Sequence, residues 1–277
     1  MTSGVPVVTE ARNAALLDWY ATNRRSLPWR RSQDPYPVLV SEVMLQQTQV
    51  DRAMDRFERF IARWPTVEEL ATARSDEVLT EWSGLGYNSR ALRLRDAART
   101  VSTHGWPETI SGLTELPGVG PYTAAAIASI SFGTQAAAVD TNLKRVISRW
   151  HGESLDGAAL QSAADNELGT PAGDWNQALM DLGSGTCTAR NPNCTECPVA
   201  TWCLDPAIYE PPTRQSTFSG SNRQLRGALV KAHLNGEDLQ SAGTALSRSI
   251  EEIESTIASL EREGLLPKAT QQESPSC

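Results

Sequence analysis

Four cysteines near the C-terminal third of the chain have the close spacing of a metal-binding loop. Cys187, Cys194, Cys197 and Cys203 follow a C-x6-C-x2-C-x5-C pattern. The rest of the chain is long enough to bury a core without covalent staples, which argues against a disulfide scaffold. Four neighbouring thiolates can instead enclose a zinc ion or an iron–sulfur cluster. Zinc ribbons usually contain two close pairs of cysteines, and this loop contains one. We interpret Cys277, at the terminus, as incidental.

Two carboxylates are candidates for acid–base chemistry. Glu42 lies in a mainly apolar stretch predicted to be helical, where desolvation should raise its pKa. Asp140 directly precedes another predicted helix, whose N-terminus should hold the pKa of Asp140 low. Two carboxylates in opposite environments suit acid–base chemistry at a glycosidic bond. The alternatives are a helix N-cap for Asp140 and a solvated surface position for Glu42, and the sequence alone does not bring the two together.

A glycine pair between two predicted helices is a candidate phosphate site. Gly118 and Gly120 lie in Leu116-Pro117-Gly118-Val119-Gly120, and Pro121 is well placed as the first residue of the next helix. Glycines allow a tight turn, and the helix start adds free N–H donors and the positive end of its dipole. A Gly-x-Gly by itself is more often only a turn.

The charge of the chain does not decide whether it binds nucleic acid. The net charge of −8 argues against binding. The basic residues nevertheless cluster, and a single basic face is sufficient because salt screens distant charges. Solvated helix faces explain each cluster equally well. The clusters are Arg24, Arg25, Arg30 and Arg31; Arg90, Arg93, Arg95 and Arg99; and Lys144, Arg145 and Arg149.

The apolar periodicity predicts an all-α protein. Apolar residues recur at three and four positions, with Pro and Gly between the segments. No stretch is apolar enough to cross a bilayer, and the N-terminus lacks the features of a secretory signal, so we expect a cytoplasmic location. Helices are predicted over 9–23, from Pro35 through Met44, from about Thr48 to Pro65, and over 67–73, 75–82, 88–103, 121–132, 141–150, 158–168 and 174–183.

Composition divides the chain into a large domain and a small module. We predict a domain over 1–205 that includes the cysteine loop (187–203), a linker over 206–213, a module over 214–268, and a disordered tail over 269–277. In the module, a helical stripe of isoleucines ends in Leu260 and is followed by Gly264-Leu265-Leu266. This is typical of the recognition helix and wing of a winged-helix module, although any amphipathic helix and turn would look similar.

Several separate motifs resemble the adenine DNA glycosylase (MutY) family, over roughly residues 10–205. They are Leu27-Pro28-Trp29-Arg30, Ser41 to Val50, Gly84-Leu85-Gly86-Tyr87, the hairpin L-P-G-V-G-P-Y-T-A, the segment at Asp140, and the cysteine loop. The resemblance implies a helix-hairpin-helix glycosylase fold with a [4Fe–4S] cluster on the four loop cysteines. It also implies a monomer that removes adenine paired with 8-oxoguanine or guanine in double-stranded DNA, away from membranes and on the nucleoid.

The resemblance assigns roles to individual residues. It implies that Glu42 is the general acid that later serves the attacking water, and that Asp140 stabilises the positively charged sugar. It implies that Asn142 and Tyr122 position these groups. It also implies a set of DNA-contacting residues, some of which wedge into the base stack while adenine is flipped out. That set is Gln47, Thr48, Leu85, Tyr87, Gly118, Gly120, Trp29 and Arg30.

Some positions differ within the wider superfamily or depart from the family pattern. Bifunctional endonuclease III enzymes have a lysine where this chain has Tyr122, so the resemblance implies a glycosylase with little strand-cutting activity. Residues 214–277 are too short for the family's large 8-oxoguanine-recognition domain, and we interpret Phe218-Ser219, which is similar to part of its recognition loop, as coincidence. Asn88 stands where a second tyrosine is frequent. Arg190 is the only base between Cys187 and Cys197, which weakens a DNA-facing role for that loop.

Two other functions remain open. A related thymine-mismatch glycosylase can also have tyrosine at the lysine position, although the stretch S-E-V-M-L-Q-Q-T-Q favours adenine. A non-catalytic iron–sulfur protein that binds DNA or senses redox state would keep the same fold, but DNA binding alone does not require buried carboxylates. The dependence on 8-oxoguanine, the role of the small module and any redox role of the cluster are not decided by the sequence.

Overall fold

Helices form all the regular secondary structure that the computed structural model describes, which covers residues 5–209, 211 and 217–268. The all-α prediction is confirmed. Within those residues no helix is long and apolar enough to cross a membrane. The predicted tail and part of the predicted linker lie outside the described residues. The helices are α1 (Val5–Asn23), α2 (Pro35–Leu45), α3 (Val50–Arg63), α4 (Val67–Thr72), α5 (Ser75–Trp82), α6 (Ser89–His104), α7 (Ile110–Thr114), α8 (Pro121–Ser131), α9 (Thr141–His151), α10 (Gly157–Asn166), α11 (Ala172–Gly185), α12 (Asn222–Leu234), α13 (Leu239–Thr244) and α14 (Ile250–Arg262).

Contacts between residues divide the chain into two units. The first comprises Met1–Val43 and Gly105–Thr213, and the second comprises Met44–His104 and Arg214–Cys277. The C-terminal segment therefore shares a unit with α3–α6. The boundaries proposed from composition, 1–205 and 214–268, stay a prediction.

The first unit is organised around α11, which packs against α1, α8 and α9. Its apolar face buries Trp175, Leu179 and Leu182, and Leu16 of α1 and Leu143 of α9 join the same core. The side chains of the buried alanines on α8 are small, so α11 packs close to the α8 backbone. A Cβ added to Gly173 of α11 would lie 2.9 Å from the Ser129 carbonyl oxygen of α8. This close packing fixes the helices on which the candidate catalytic residues lie.

The second unit combines α3–α6 with the three C-terminal helices. α6 packs against α4 and α5, and Phe60 stacks edge-on to Trp64 and Trp82 in the core. α12 contacts α13, α14 and also α5, so the C-terminal helices are attached to this unit. Leu265 and Leu266 are buried after the turn at Gly264, and residues 217–268 contain no strand. The winged-helix description stays a prediction.

The predicted helices agree with the structure except in their ends, but three helices were not predicted: α7, α13 and the 13-residue α12. α1 begins at Val5, four residues before the predicted start at Thr9. α7 and α13, which have five and six residues, were not predicted because each contains glycine and is too short to show a helical period. In the stripe on α14, Ile253 and Leu260 are buried, whereas Ile250 is 66% exposed.

The contact between α8 and α11 predicts the effect of substituting Gly173. Gly173→Ala should lower the free energy of unfolding by about 1–3 kcal/mol, because its Cβ would press on backbone atoms that cannot move aside. The matched control is Gly185→Ala at the end of the same helix, where an added Cβ meets nothing within 4 Å. Urea unfolding monitored by circular dichroism measures both. Equal stabilities for the two variants would contradict close packing at Gly173.

Candidate functional site

Asp140 is the N-cap of α9, and three hydrogen bonds fix its carboxylate. Its Oδ1 accepts from the backbone N–H of Asn142 (2.8 Å) and of Leu143 (2.7 Å), and its Oδ2 accepts from the Asn142 side chain (2.9 Å). The strand-like segment before it is held by buried Asn176, which accepts from the Ala138 N–H. Asp140 therefore has the structural role of an N-cap and also a fixed direction for its carboxylate.

Glu42 lies on α2 and is 6% exposed. The pKa of Glu42 is raised to about 7: burial is the largest cause, a hydrogen bond with Tyr122 lowers the pKa, the charge of Asp140 raises it, and the charge of Arg30 lowers it. Its Oε2 atom is buried and has no hydrogen-bond partner among the described residues. The alternative of a solvated surface residue is wrong. A carboxyl with this pKa can both donate and accept a proton near neutral pH.

Tyr122 joins the two carboxylates into one site. It is the second residue of α8, directly after the glycine hairpin, and its hydroxyl lies 3.9 Å from the Met180 sulfur. Burial, followed by the charges of Glu42 and Asp140, raises the pKa of Tyr122 well above its usual value. The phenol therefore stays protonated and available as a donor beside both acids. The structure brings Glu42, Tyr122, Asp140 and Asn142 together, all within the first unit.

The expected low pKa of Asp140 is wrong. Burial raises the pKa of Asp140, and this exceeds the lowering by the hydrogen bonds from Leu143 and Asn142 and by the charge of Arg145. The sequence shows that Asp140 precedes a helix, but it does not show that the helix start is buried. The hydrogen bonds still favour the ionised form, and Glu42 lacks such backbone donors.

Trp29 and Arg30, which were predicted to contact DNA, are packed inside the first unit. Trp29 is 7% exposed. The Arg30 guanidinium donates to both carboxylate oxygens of Asp181, at 2.7 and 3.0 Å, and Arg25 binds the same carboxylate. Arg30 therefore forms a buried ion pair with Asp181, which occupies its donors. Its charge also lowers the pKa of Glu42.

The hairpin between α7 and α8 has the predicted form. Gly118 has a φ of +80°, a conformation that favours glycine, and Gly120 is the N-cap of α8. A Cβ added to Gly120 would point into open space. The turn and the start of α8 therefore leave room for a phosphate to approach, and this role stays a prediction.

The four predicted lesion-pair residues lie in two segments of the second unit. Gln47 and Tyr87 both have left-handed backbone conformations, with φ of +58° and +48°, and both side chains are exposed. Such strain is common at functional sites. Leu85 is only 4% exposed, so it packs under its loop instead of facing outward. Thr48 is half-buried and accepts a hydrogen bond from Arg90.

The four loop cysteines line one cavity of about 60 Å³ in the first unit. Among the described residues, no three His, Cys, Asp or Glu side chains are arranged to hold a single metal ion. Burial and then the three other cysteines raise the pKa of Cys203 to about 11, so four thiolates need a cationic centre. Thiols spread around a shared cavity fit a cluster of several metal atoms better than a single zinc.

Arg149 of α9 organises the cysteine loop from within the core. It is 1% exposed, and its guanidinium donates to the carbonyls of Thr188, Ala189 and Ile208 at 3.0 Å and to the Cys187 sulfur at 3.0 Å. These bonds satisfy carbonyls of a loop that has no extended regular structure to pair them. They also place a positive charge beside one cluster thiolate.

A second arginine of α9 connects the cysteine loop to Asp140. Arg145 donates to the Cys187 carbonyl (2.8 Å) and to the Asn142 side-chain oxygen (2.9 Å), and Asn142 donates to Asp140. Each link is a direct hydrogen bond between charged or amide groups. The orientation of Asn142, and through it Asp140, therefore depends on the loop.

The sequence grouped Arg90, Arg145 and Arg149 among possible basic faces for DNA and missed their structural roles. Arg90 and Arg149 are buried, and Arg145 is half-buried. One signal was available for Arg149, which follows Val146 by three positions and so lies in the apolar stripe of α9. No comparable signal marks Arg90, whose partners include four backbone carbonyls and the Thr48 hydroxyl.

Comparisons with known families agree with this site. Residues 40–168 match the model of a family described as "HhH-GPD superfamily base excision DNA repair protein". Residues 187–203 match the "Iron-sulfur binding domain of endonuclease III". The predicted helix-hairpin-helix fold and [4Fe–4S] cofactor are confirmed, and the matched range 187–203 contains all four loop cysteines, whose assignment as the cluster ligands stays a prediction.

Curated relatives and solved structures give the same result. The adenine DNA glycosylase of Mycobacterium tuberculosis (strain ATCC 25618 / H37Rv) is 39% identical over 244 residues, which cover 81% of this chain and 80% of that protein. The human adenine DNA glycosylase is 42% identical over 212 residues, 70% of this chain and 39% of that protein. The structure of a thermostable thymine-DNA glycosylase superposes with a TM-score of 0.67 at 30% identity, covering 73% of this chain and 97% of that one. The structure of an endonuclease III–DNA covalent intermediate superposes with a TM-score of 0.62 at 20% identity, covering 74% of this chain and 98% of that one. At this identity the likeness supports the fold alone.

Removing the guanidinium of Arg149 should release the cluster. Arg149→Leu leaves the carbonyls of three partly buried residues without this donor, at a combined cost of about 1–3 kcal/mol. The purified variant should contain far less iron per chain than the unsubstituted protein and should lose it faster to a chelator. Arg190→Ala, at an exposed arginine in the same loop whose hydrogen bond among the described residues goes to the Tyr209 hydroxyl, is the control. Equal iron retention in both variants would contradict the role of Arg149.

The pKa of Glu42 predicts a pH dependence of stability. In the unfolded chain this group ionises near pH 4.5, and in the folded protein near pH 7. Between these values only the unfolded chain releases the proton. The contribution of Glu42 to stability is therefore complete below pH 4.5 and is lost as pH rises to about 7, a change of about 3 kcal/mol.

Comparison with Glu42→Gln isolates this contribution. The difference in free energy of unfolding between the unsubstituted chain and Glu42→Gln should fall across that window and level off above it. Glu10→Gln, at an exposed acid of α1, is the control and should show no such trend. Urea unfolding of the cluster-loaded protein at several pH values measures this. A flat difference from pH 4.5 to 7 would mean that Glu42 is ionised throughout.

Proposed function

This chain belongs to the adenine DNA glycosylase family of helix-hairpin-helix base excision repair proteins, and from that membership we propose what it does. It is a monofunctional glycosylase that hydrolyses the N-glycosidic bond of adenine mispaired with 8-oxoguanine or guanine in double-stranded DNA. The observation that carries the proposal is buried Glu42. Its pKa is about 7 and its Oε2 lacks a partner, and Tyr122 and Asp140 lie beside it.

Departure of the base needs a proton donor, because adenine is a poor leaving group as an anion. Protonated Glu42 supplies that proton to a ring nitrogen of adenine, the bond from sugar carbon to base nitrogen breaks, and its electron pair leaves with the neutral base. The resulting carboxylate of Glu42 then accepts a proton from the water that attacks the sugar. A pKa near 7 suits both steps.

Asp140 stabilises the positive charge that develops on the sugar. Its ionised form is favoured by the hydrogen bonds from Asn142 and Leu143, so it acts as a fixed negative charge at the reacting carbon. Asn142 holds the direction of the carboxylate, and Tyr122 keeps its proton and donates to Glu42. The four loop cysteines would hold the iron–sulfur cluster, which would fix the loop that Arg145 connects to Asn142.

A tyrosine at position 122 makes the enzyme monofunctional. Cutting of the DNA strand through a Schiff base requires an amine nucleophile, and the phenol of Tyr122 cannot form one. The product is therefore an abasic site in an intact strand.

The second unit supplies the residues that act on the lesion pair. Gln47 and Tyr87 are exposed in strained loop positions, which suits contacts to displaced bases. Tyr87 is 40% exposed and is the better wedge, whereas buried Leu85 supports its loop. The glycines of the α7–α8 hairpin bind a DNA phosphate. The protein acts as a monomer on the chromosome, and so on the nucleoid.

The thymine-mismatch alternative is supported by one structural neighbour, which is 30% identical. Curated adenine DNA glycosylases are 36–43% identical to this chain, and the favoured substrate is accordingly adenine. The non-catalytic alternative does not explain why Glu42 is buried. A buried carboxyl oxygen without a hydrogen-bond partner costs stability, and DNA binding alone does not require one.

Excision assays on short duplexes test the proposal. Adenine is placed opposite 8-oxoguanine, guanine or cytosine, and strand breaks are measured with and without alkali. Release should occur opposite the first two bases, with breaks only after alkali and no borohydride-trapped adduct. Glu42→Gln should slow excision by about 10²–10⁴-fold, while the Kd for duplex DNA stays unchanged.

The control is again Glu10→Gln, which should excise at the unsubstituted rate. Excision of thymine and not adenine would move the assignment to the thymine enzyme. A loss of duplex affinity in Glu42→Gln equal to its loss of excision would show that Glu42 is structural. No excision of any base by a cluster-loaded protein that still binds duplex would support the non-catalytic alternative.

A further inference from the structure

The loop that ends in Tyr87 has an unusual backbone. Gly84, Gly86 and Tyr87 all have positive φ values, of +93°, +72° and +48°. The first two are glycines, which adopt this conformation freely, but Tyr87 carries a strained one that other contacts must maintain. Its ring is 40% exposed. An exposed aromatic side chain on such a loop needs support to keep one orientation.

Support from the inside comes from Arg90. Its guanidinium donates to the carbonyls of Leu85 (3.1 Å) and Gly86 (3.0 Å), and lies 5.7 Å from the centre of the Tyr87 ring. The same group donates to the Met44 carbonyl (3.2 Å) and to the Gln46 carbonyl. Arg90 therefore links the loop to the neighbouring segment that carries Gln47. None of these bonds reaches the Tyr87 hydroxyl.

Support from the outside comes from the C-terminal helices. Arg223, at the start of α12, donates from Nη1 to the Tyr87 hydroxyl at 3.4 Å, across 136 positions of sequence. The α12 helix packs against α5, whose last residue, Trp82, leads into the Tyr87 loop. Two further arginines fix the helix: Arg226 binds Glu263 at 2.6 Å, and Arg248 donates to the Gly220 carbonyl. Arg223 is thus held in place by its own module.

We propose that the C-terminal module takes part in recognition of the lesion pair, with Arg223 as a positioning residue for Tyr87. This rests on the proposed function, in which Tyr87 enters the base stack. Arg90 fixes the backbone and one face of the ring, and Arg223 fixes its polar end. The ring then loses less freedom when it enters the stack, because part of its ordering is already present in the free protein. Arg223 is not a catalytic residue, since it touches no reacting atom.

A double-mutant cycle tests the proposal in the full-length, cluster-loaded protein. The variants are Arg223→Ala, Tyr87→Phe, which keeps the ring and removes the hydroxyl, and the two combined. The readouts are the single-turnover rate of adenine excision opposite 8-oxoguanine and the fluorescence of 2-aminopurine in place of adenine, which reports unstacking. Each single variant should lower the rate about two- to tenfold, the range expected for one hydrogen bond. The combined variant should be no slower than the worse single one.

Two further variants separate positioning from charge and from folding. Arg262→Ala removes an exposed arginine of the same module whose hydrogen bond within the described residues goes to the Ala258 carbonyl of its own helix, and it should excise at the unsubstituted rate. Arg223→Lys keeps a donor and should recover part of the rate. The Kd for duplex should change no more in Arg223→Ala than in Arg262→Ala.

The outcomes that overturn the proposal differ from those that overturn the function. Multiplicative rate losses in the combined variant, or an Arg223→Ala rate equal to that of Arg262→Ala, would show that Arg223 does not act through Tyr87. An unsubstituted protein that releases no adenine would instead overturn the proposed function. Normal excision by that protein together with unaffected variants would overturn only the role of Arg223.

Discussion

The burial of Glu42 is the constraint on which the site depends. A carboxyl oxygen without a hydrogen-bond partner costs free energy, and the fold accepts that cost on α2, in the middle of a packed helix. Tyr122 remains protonated beside Glu42. Arg30 is paired with Asp181, so its charge reverses only part of the rise in the pKa of Glu42 that burial causes. If Arg30 lacked that partner, its full charge would favour ionised Glu42 and lower the pKa on which acid catalysis relies.

Buried arginines act as cross-links in both units. The basic clusters of the sequence are therefore not wholly available as surface charge for DNA. Arg149 holds the cysteine loop and Arg90 joins two loops of the second unit, in each case by donating to backbone carbonyls. The planar guanidinium has five donors in fixed directions, and a lysine could not replace it at either position.

Much of the fold followed from periodicity and turn residues, and much of the site from a family resemblance. The helix containing Glu42, the hairpin before Tyr122 and the cap at Asp140 were all predicted. The pKa of Asp140 was not, because a sequence shows the start of a helix but not how deeply that start is buried. For the same reason Arg30 was assigned to DNA although its partner, Asp181, lies 151 positions away. Long-range ion pairs leave no local pattern.

The helix α9 unites the two chemical centres of the first unit. Asp140 caps its N-terminus, and Arg149, nine positions later and so about 14 Å along the helix axis, holds the cysteine loop near its C-terminus. Residues 146–150 of this helix are buried, and a helix packed in this way transmits a displacement at one end to the other as a rigid body. Arg145 adds a shorter route, through Asn142. Disorder in the cysteine loop would therefore reach Asp140 in two ways, so the loop that would hold the cluster also supports the orientation of Asp140.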